Sequence, residues 1–270
     1  MPIFPTPSPP PLARYIEDAA DQEGYTVVFG SSDENPIKYK KILDALLNRQ
    51  TDGLILSPPE NSELLIKSLQ NQVPFVLIDR YFPTLPTNQV LLDNYGAAYE
   101  ATRHLINAGY KQIGMINYDS ALVHLAERSR GFTTALAEAG LPPAPGRLQL
   151  VHATALREET ELAMKTLLNK AAPADAVIFG SNIIAMHAVK YLKENGIRVP
   201  GQAALVTFDE TDAFDLFYAP LTAIRQPIRK MAGEAVRILL ANIEKENLPA
   251  EQVTYPGKLI IRASSAPMGQ

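Results

Sequence analysis

"LVTFDETDAF", residues 205–214, starts as a strand and finishes as an acidic loop. Leu205, Val206 and Phe208 suit a sheet core, whereas Asp209, Glu210 and Asp212 resist burial. Carboxylates at the end of an apolar strand have two uses: they cap the next element in solvent, or they face a group that needs a hydrogen-bond acceptor. The fold turns on this arrangement, because it recurs along the chain. "YTVVFG" (25–30), "GLILS" (53–57), "FVLID" (75–79), "IGMIN" (113–117), "AVIFG" (176–180) and "ALVTFD" (204–209) read as strands buried on both faces. Polar residues follow each: Ser31, Ser32 and Asp33; Ser57; Asp79 and Arg80; Asn117 and Asp119; Ser181 and Asn182; Asp209.

Between these runs lie helical patterns at 37–49, 62–71, 94–108, 126–139, 157–171, 183–195 and 228–246. In the first, Ile42, Leu43, Leu46 and Leu47 form one stripe. Gly24, Gly109, Gly140 and Gly196 sit where helices end, and Pro227 suits the first turn of the last helix. Strand–helix alternation predicts an α/β fold of doubly wound parallel sheets with helices on both faces. In such folds ligands bind outside the carboxyl ends of the strands, which places the polar residues along a binding edge. Taken singly, each reads equally well as a helix cap. "EGYTVV" (23–28) and "AGYKQI" (108–113) repeat one local pattern and suggest two related lobes. "VLLDNYGAAYEA" (90–101) reads as the crossing between them, with Asp93 or Asn94 capping the next helix.

The chain's 270 residues suffice for one large α/β unit or two ordinary lobes. Acidic residues number 29 against 25 basic, a net charge of −4, and no run of Lys or Arg forms a nucleic-acid footprint. Cysteine is absent, so disulfide and thiolate chemistry are excluded. No apolar run approaches the roughly 20 residues of a membrane span, and the N-terminus lacks the features of a signal peptide. The expectation is a cytoplasmic protein with no membrane partner. Six of the first eleven residues are proline, which bars a helix there. No G-x-S-x-G, G-x-G-x-x-G, P-loop or H-E-x-x-H is present. The histidines at 104, 124, 152 and 187 share no metal-ligand spacing, so neither an enzyme, a cofactor nor a metal is expected.

"VLLDNYGAAYEATRHLINAGYKQIGMI", "ERSRGFTTALAEAG", "ALVTFDE" and "PLTAIRQPIRKMAGEAV" follow one another in the order and spacing of the LacI/GalR family of bacterial transcription regulators. The resemblance runs from about Leu12 to Ser264. It implies the architecture of type I periplasmic sugar-binding proteins: two α/β lobes joined by three crossovers, a small polar effector in the cleft, and a homodimer. Operator DNA is read by a separate N-terminal helix-turn-helix headpiece, which this sequence does not include. "IFPTPS" then reads as the end of the first strand. The crossovers are expected near Leu91, Arg225 and Tyr255, giving lobes of 1–91 with 226–254 and of 92–225 with 255–270. The resemblance further implies that "GKLIIRASS" returns a strand to the second lobe.

By the same resemblance, Asp209 matches the carboxylate that accepts ligand hydrogen bonds, and Asp79 matches an acidic or polar cleft position. Arg128 matches the arginine that clamps ligand oxygens, and Asn182 the asparagine of an Asn-Asp pair. Gln226 sits at a crossover near the cleft. Ser8, Tyr81, Tyr118 and Phe208 are further candidate contacts. Glu210 reads as a solvated residue or a cap. From the residues alone, Arg128 reads as a surface ion pair with Glu127 or Asp119. Two positions depart from the family: Ile183 stands where Asp is usual, and Ala155 falls where an aromatic platform often stacks on the ligand. The apolar residues Ile184, Met186, Ala188 and Val189 accord with a dimer face. The implied function is an effector-binding and dimerisation region that couples lobe closure to operator binding by the full-length protein. A periplasmic solute-binding protein of a sugar transporter is the alternative.

Overall fold

The computed structural model describes residues 11–141, 145–168, 172–245 and 248–267. Two compact units divide the chain: one holds the described residues up to Leu92 together with Pro227–Tyr255, and the other holds Asp93–Gln226 and the residues from Pro256 onward.

The first unit runs α1 (Pro11–Gln22), α2 (Pro36–Asn48), β1 (Leu54–Leu56), α3 (Glu63–Leu69), β2 (Phe75–Ile78) and β3 (Gln89–Leu92). Pro11 opens α1, where its missing N–H costs nothing. In the second unit follow α4 (Asn94–Asn107), β4 (Ile113–Tyr118), α5 (Val123–Glu138), β5 (Leu148–Val151), α6 (Leu156–Leu168) and β6 (Ala176–Phe179). Next come α7 (Asn182–Glu194), β7 (Ala204–Phe208) and β8 (Thr222–Arg225). The chain then returns to the first unit for α8 (Ile228–Glu244) and β9 (Gln252–Tyr255), and ends in the second with β10 (Lys258–Ile260). Among the described residues the first sheet has the order β1-β2-β3-β9, all parallel. The second has the order β10-β8-β7-β6-β4-β5, parallel except for β10.

Both sheets are covered on both faces, which is why the strands read as unbroken apolar runs. In β2, Phe75 and Leu77 pack with Leu43, Ile66 and Leu69 of α2 and α3. Val76 and Ile78 point the other way, against Met231, Ala235 and Ile238 of α8. In the second unit, Ile116, Val177, Phe179 and Leu205 join Ala163 and Leu167 of α6 and Ile184, Ala185 and Ala188 of α7 in one core. On α5, Gly131 lets α4 come close: a Cβ there would lie 2.3 Å from the Tyr95 carbonyl oxygen.

One expected strand is not formed. Residues 25–30 follow α1 as an extended segment, with Val28 61% and Phe29 48% exposed. Apolar composition suits a strand, but a strand also needs a neighbour to receive its backbone hydrogen bonds, and none pairs with 25–30 among the described residues. The expected strand end at "IFPTPS" lies outside the described residues. At the crossing after β3, Asp93 is the cap rather than Asn94: its carboxylate accepts from the Gly96 N–H at 2.8 Å.

Candidate functional site

The second sheet reverses its winding at β4, which has β5 on one side and β6 on the other. The carboxyl ends of β4 and β6 therefore flank the kind of switch point where doubly wound sheets bind ligands, with those of β7 and β8 next in the sheet. At the end of β7 the backbone turns left-handed: Asp209 has φ 66°, unusual for a residue with a Cβ but tolerated by Asp. Its N–H still bonds to the Ile224 carbonyl, so the carboxylate is presented by a fixed backbone. One carboxylate oxygen accepts from Gln226 Nε2 at 2.5 Å, and the other lies 3.9 Å from Arg128 Nη1. The Asp209 side chain stays 28% accessible.

Arg128 enters from α5 and is buried, with only 3% of its surface accessible. Its Nε donates to Asn94 Oδ1 at 2.7 Å and its Nη1 to the Gly180 carbonyl at 2.5 Å. Its guanidinium lies 4.1 Å above the Phe208 ring. Neither Glu127 nor Asp119 is its partner: Glu127 pairs with Arg130, and Asp119 lies beside His152. The helix itself is anchored by Asn117, whose side-chain amide donates to the Leu125 carbonyl at 2.8 Å and to Ser129 Oγ at 2.9 Å. An asparagine within the apolar run "IGMIN" was the available sequence signal for that anchor. Nothing local marked Asn94 or the Gly180 carbonyl, which lie 34 and 52 residues from Arg128.

Other expected residues fall around this cluster. Asn182 begins α7, half-buried, directly after the capping Ser181, whose Oγ accepts from the Ile184 N–H at 3.3 Å. Ser181 Oγ in turn donates to the Tyr118 hydroxyl at 3.3 Å, which holds that half-buried ring at the strand ends. Phe208 is a correction: it is fully buried and offers no open face. It shares the Val206 face of β7, opposite Leu205, and supports Arg128 from beneath. Ile183 is 51% exposed, and Ala155 lies half-buried in a short 3₁₀ turn after β5.

Glu210 is neither solvated nor a cap. It takes a two-pronged ion pair from Arg225 Nε and Nη2 and a further one from Arg262 Nη2. The Arg225 hydrogen bonds, with those of Arg262, hold its carboxyl down to about 2. Arg262 also reaches Asp215 at 3.1 Å.

In the first unit, β2 ends in the same way: Asp79 has φ 66° and its N–H bonds to the Val90 carbonyl. Arg80 grips Glu34 with both Nη atoms, at 2.6 and 2.8 Å. Tyr81 packs half-buried against the α2–α3 core. Ser8 lies outside the described residues. Among the described residues no group of three or more His, Cys, Asp or Glu side chains is placed to hold a metal, and no helix is long and apolar enough to cross a membrane.

Comparison with known proteins bears on what such an edge serves. Residues 102–265 match the family described as periplasmic binding protein-like domain. The chain is 30% identical over 267 residues to the ribose operon repressor of Halalkalibacterium halodurans, covering 98% of this chain and 78% of that protein. It is 29% identical over 261 residues to the HTH-type transcriptional regulator DegA of Bacillus subtilis (strain 168), covering 95% and 77%. Among solved structures it resembles a periplasmic binding protein/LacI transcriptional regulator from Alkaliphilus metalliredigens QYMF complexed with D-xylulofuranose. That likeness has a TM-score of 0.80 at 25% identity and covers 94% of this chain and 92% of the other.

Proposed function

This chain belongs to the LacI family of transcriptional regulators as a periplasmic-binding-protein-like effector domain, and from that premise we propose that it binds a small sugar or sugar derivative at the carboxyl edges of its sheets. The observation that carries the reading is Asp209: a partly accessible carboxylate, fixed by its backbone and by Gln226, with a buried guanidinium beside it. An ionised acceptor held in place is suited to vicinal hydroxyls, which can donate to both of its oxygens. Asn182 and Gln226 supply neutral amides at the same edge, and Asp79 is proposed as the contact from the first unit. The D-xylulofuranose complex of the Alkaliphilus relative supports the substrate class.

In the full-length regulator, ligand binding would bias closure of the two lobes, and that equilibrium would set operator affinity through the DNA-binding headpiece. A homodimer is part of the same proposal. The apolar residues Ile183 and Met186 on α7 and Leu216 in the 3₁₀ turn after β7 (Asp212–Leu216) are exposed, and they support it.

The test is thermal denaturation of the protein with D-ribose, D-xylulose and D-glucose. A sugar that binds the folded state raises the midpoint, and Asp209→Asn should remove that rise. A full rise in Asp209→Asn with the same sugar would take Asp209 out of the site.

A further inference from the structure

Glu210 stands next to the proposed site carboxylate, and its partners lie at the end of β8 and just after β10. Arg225 ends β8, one residue before Gln226, and the chain then passes to the first unit at Pro227. Arg262 follows β10, the strand formed after the chain comes back at Pro256. β10 pairs antiparallel with β8, Lys258 opposite Arg225, so Arg262 lies toward the start of β8, where its N–H donates to Thr222 Oγ1. Glu210 thus grips the end of β8 through Arg225 and the chain after β10 through Arg262. The result is a pair of cross-strand ties at the ends of β7 and β8: Asp209 with Gln226, and Glu210 with Arg225. Two ties between the same two segments restrain the rotation that one alone would permit.

The first unit repeats the device. There Asp79 has the same left-handed φ of 66°, and the next residue, Arg80, holds Glu34 in a two-pronged ion pair. In each unit a carboxylate presented by unusual backbone is followed by a charged residue tied to another segment of that edge.

We propose that Glu210 is a positioning residue for effector binding: by holding Arg225 and Arg262 it fixes Gln226 against Asp209 and so sets the geometry of the acceptor that meets the sugar. The proposal rests on the sugar reading of the site given above. The Glu210–Arg225 pair adds little to overall stability, because the Arg225 side chain is 52% exposed and surface ion pairs contribute little, whereas the Glu210–Arg262 pair, with side chains 17% and 19% accessible, carries more. Positioning and folding are therefore separable by experiment.

The variants are Glu210→Gln, Arg225→Gln and the double substitution, each in the full chain. Hydrogen–deuterium exchange without sugar reads the tie directly. Glu210→Gln should speed exchange of amides in 222–226 and 258–262, and Arg225→Gln should speed it in 222–226 while leaving the thermal midpoint near that of the unsubstituted protein. Calorimetric titration with D-ribose, D-xylulose and D-glucose reads the consequence. Affinity for whichever of these binds should fall about fivefold or more, the range over which residues without ligand contact modulate binding. The double variant should be no worse than Glu210→Gln alone, since that substitution already breaks the pair with Arg225.

Unchanged exchange in Glu210→Gln would overturn the tie whatever the sugars do. Faster exchange with unchanged affinity would overturn the positioning role and leave only a tether of the crossing strands. If none of the three sugars binds the unsubstituted protein, the sugar reading fails and this proposal falls with it. The exchange result then shows whether the tie itself was real.

Discussion

Truncating Arg128 takes apart a buried network as well as a proposed ligand contact. Its loss would take a charged donor away from Asn94 Oδ1 and from the Gly180 carbonyl and empty the space above Phe208. Breaking a buried charged network in this way costs about 3–5 kcal/mol, so Arg128→Ala should unfold at clearly lower urea than the unsubstituted protein. An equal urea midpoint would show that the network is not a structural one. Asp209→Asn behaves differently, because Asn tolerates left-handed backbone and still accepts from Gln226. Without sugar it should melt near the unsubstituted protein. With sugar it loses a charged hydrogen bond of about 1.5–3 kcal/mol, so binding weakens about ten- to more than a hundredfold. Glu210 adds a pH signature. Its carboxyl titrates near 2 in the folded protein against an ordinary 4.5, so its contribution is complete above about 4.5 and is lost as pH falls toward 2. Glu210→Gln should therefore show a shallower loss of stability across that acid window, measured as the midpoint difference between pH 5 and pH 2.5. These three residues also mark what sequence could disclose. That Asp209 ends a strand was legible in "ALVTFD", because the apolar run stops there. Glu210 was misread because one of its partners, Arg262, is 52 residues away.

At the scale of elements, long apolar or amphipathic patterns were readable and short half-exposed ones were not. The helices at 37–49, 94–108 and 183–195 formed with their ends displaced by at most one residue, since their stripes run about four turns of one period. Strand β9 went unread because its four residues alternate exposed and half-buried, with no apolar run to find. Strand β5 is similarly open except at Val151. The segment 25–30 failed the other way, having the composition of a strand without a partner among the described residues. The α4–α5 contact was invisible too, although its signal is in the sequence as Gly131 within "ERSRGF". A methyl group at Gly131 would lie 3.0 Å from Ala98 Cβ as well as against the Tyr95 carbonyl. Gly131→Ala should push α5 away from α4 and lengthen the Arg128–Asn94 bond. The expected cost is about 1–3 kcal/mol, the range for forcing extra carbon into a packed contact. Urea unfolding measures it, and a stability gain, as for an ordinary helical Gly→Ala change, would show that the helices relax freely.

Assembly is the property of the whole molecule on which the sequence was least specific. The apolar set expected to face a partner was Ile184, Met186, Ala188 and Val189, but Ile184 and Ala188 are fully buried in the second unit's own core. A single sequence cannot tell a helix's second apolar stripe from its first, because both follow the same period. What remains outside is Ile183 at 51% and Met186 at 47% exposed on α7, with Leu216 at 88% and Tyr218 at 66% in the segment after β7. These are on elements that share one core, since Phe214 and Phe217 pack with Ile184, Ala185 and Ala188. Large apolar side chains gathered on neighbouring elements of a soluble protein mark a contact surface more often than scattered ones do. The proposed homodimer therefore places this α7 face, with the 212–218 segment, at the interface. Light scattering at micromolar concentration should give twice the monomer mass for the unsubstituted chain. Met186→Glu combined with Leu216→Glu should give the monomer mass, because a two-fold contact would bury each new charge twice. Both substituted positions are exposed, so the paired variant should keep its thermal midpoint within a few degrees if the chain folds without a partner. A dimer that survives both glutamates would place the interface elsewhere on the chain, and a monomeric unsubstituted protein at that concentration would remove dimerisation from the proposed function.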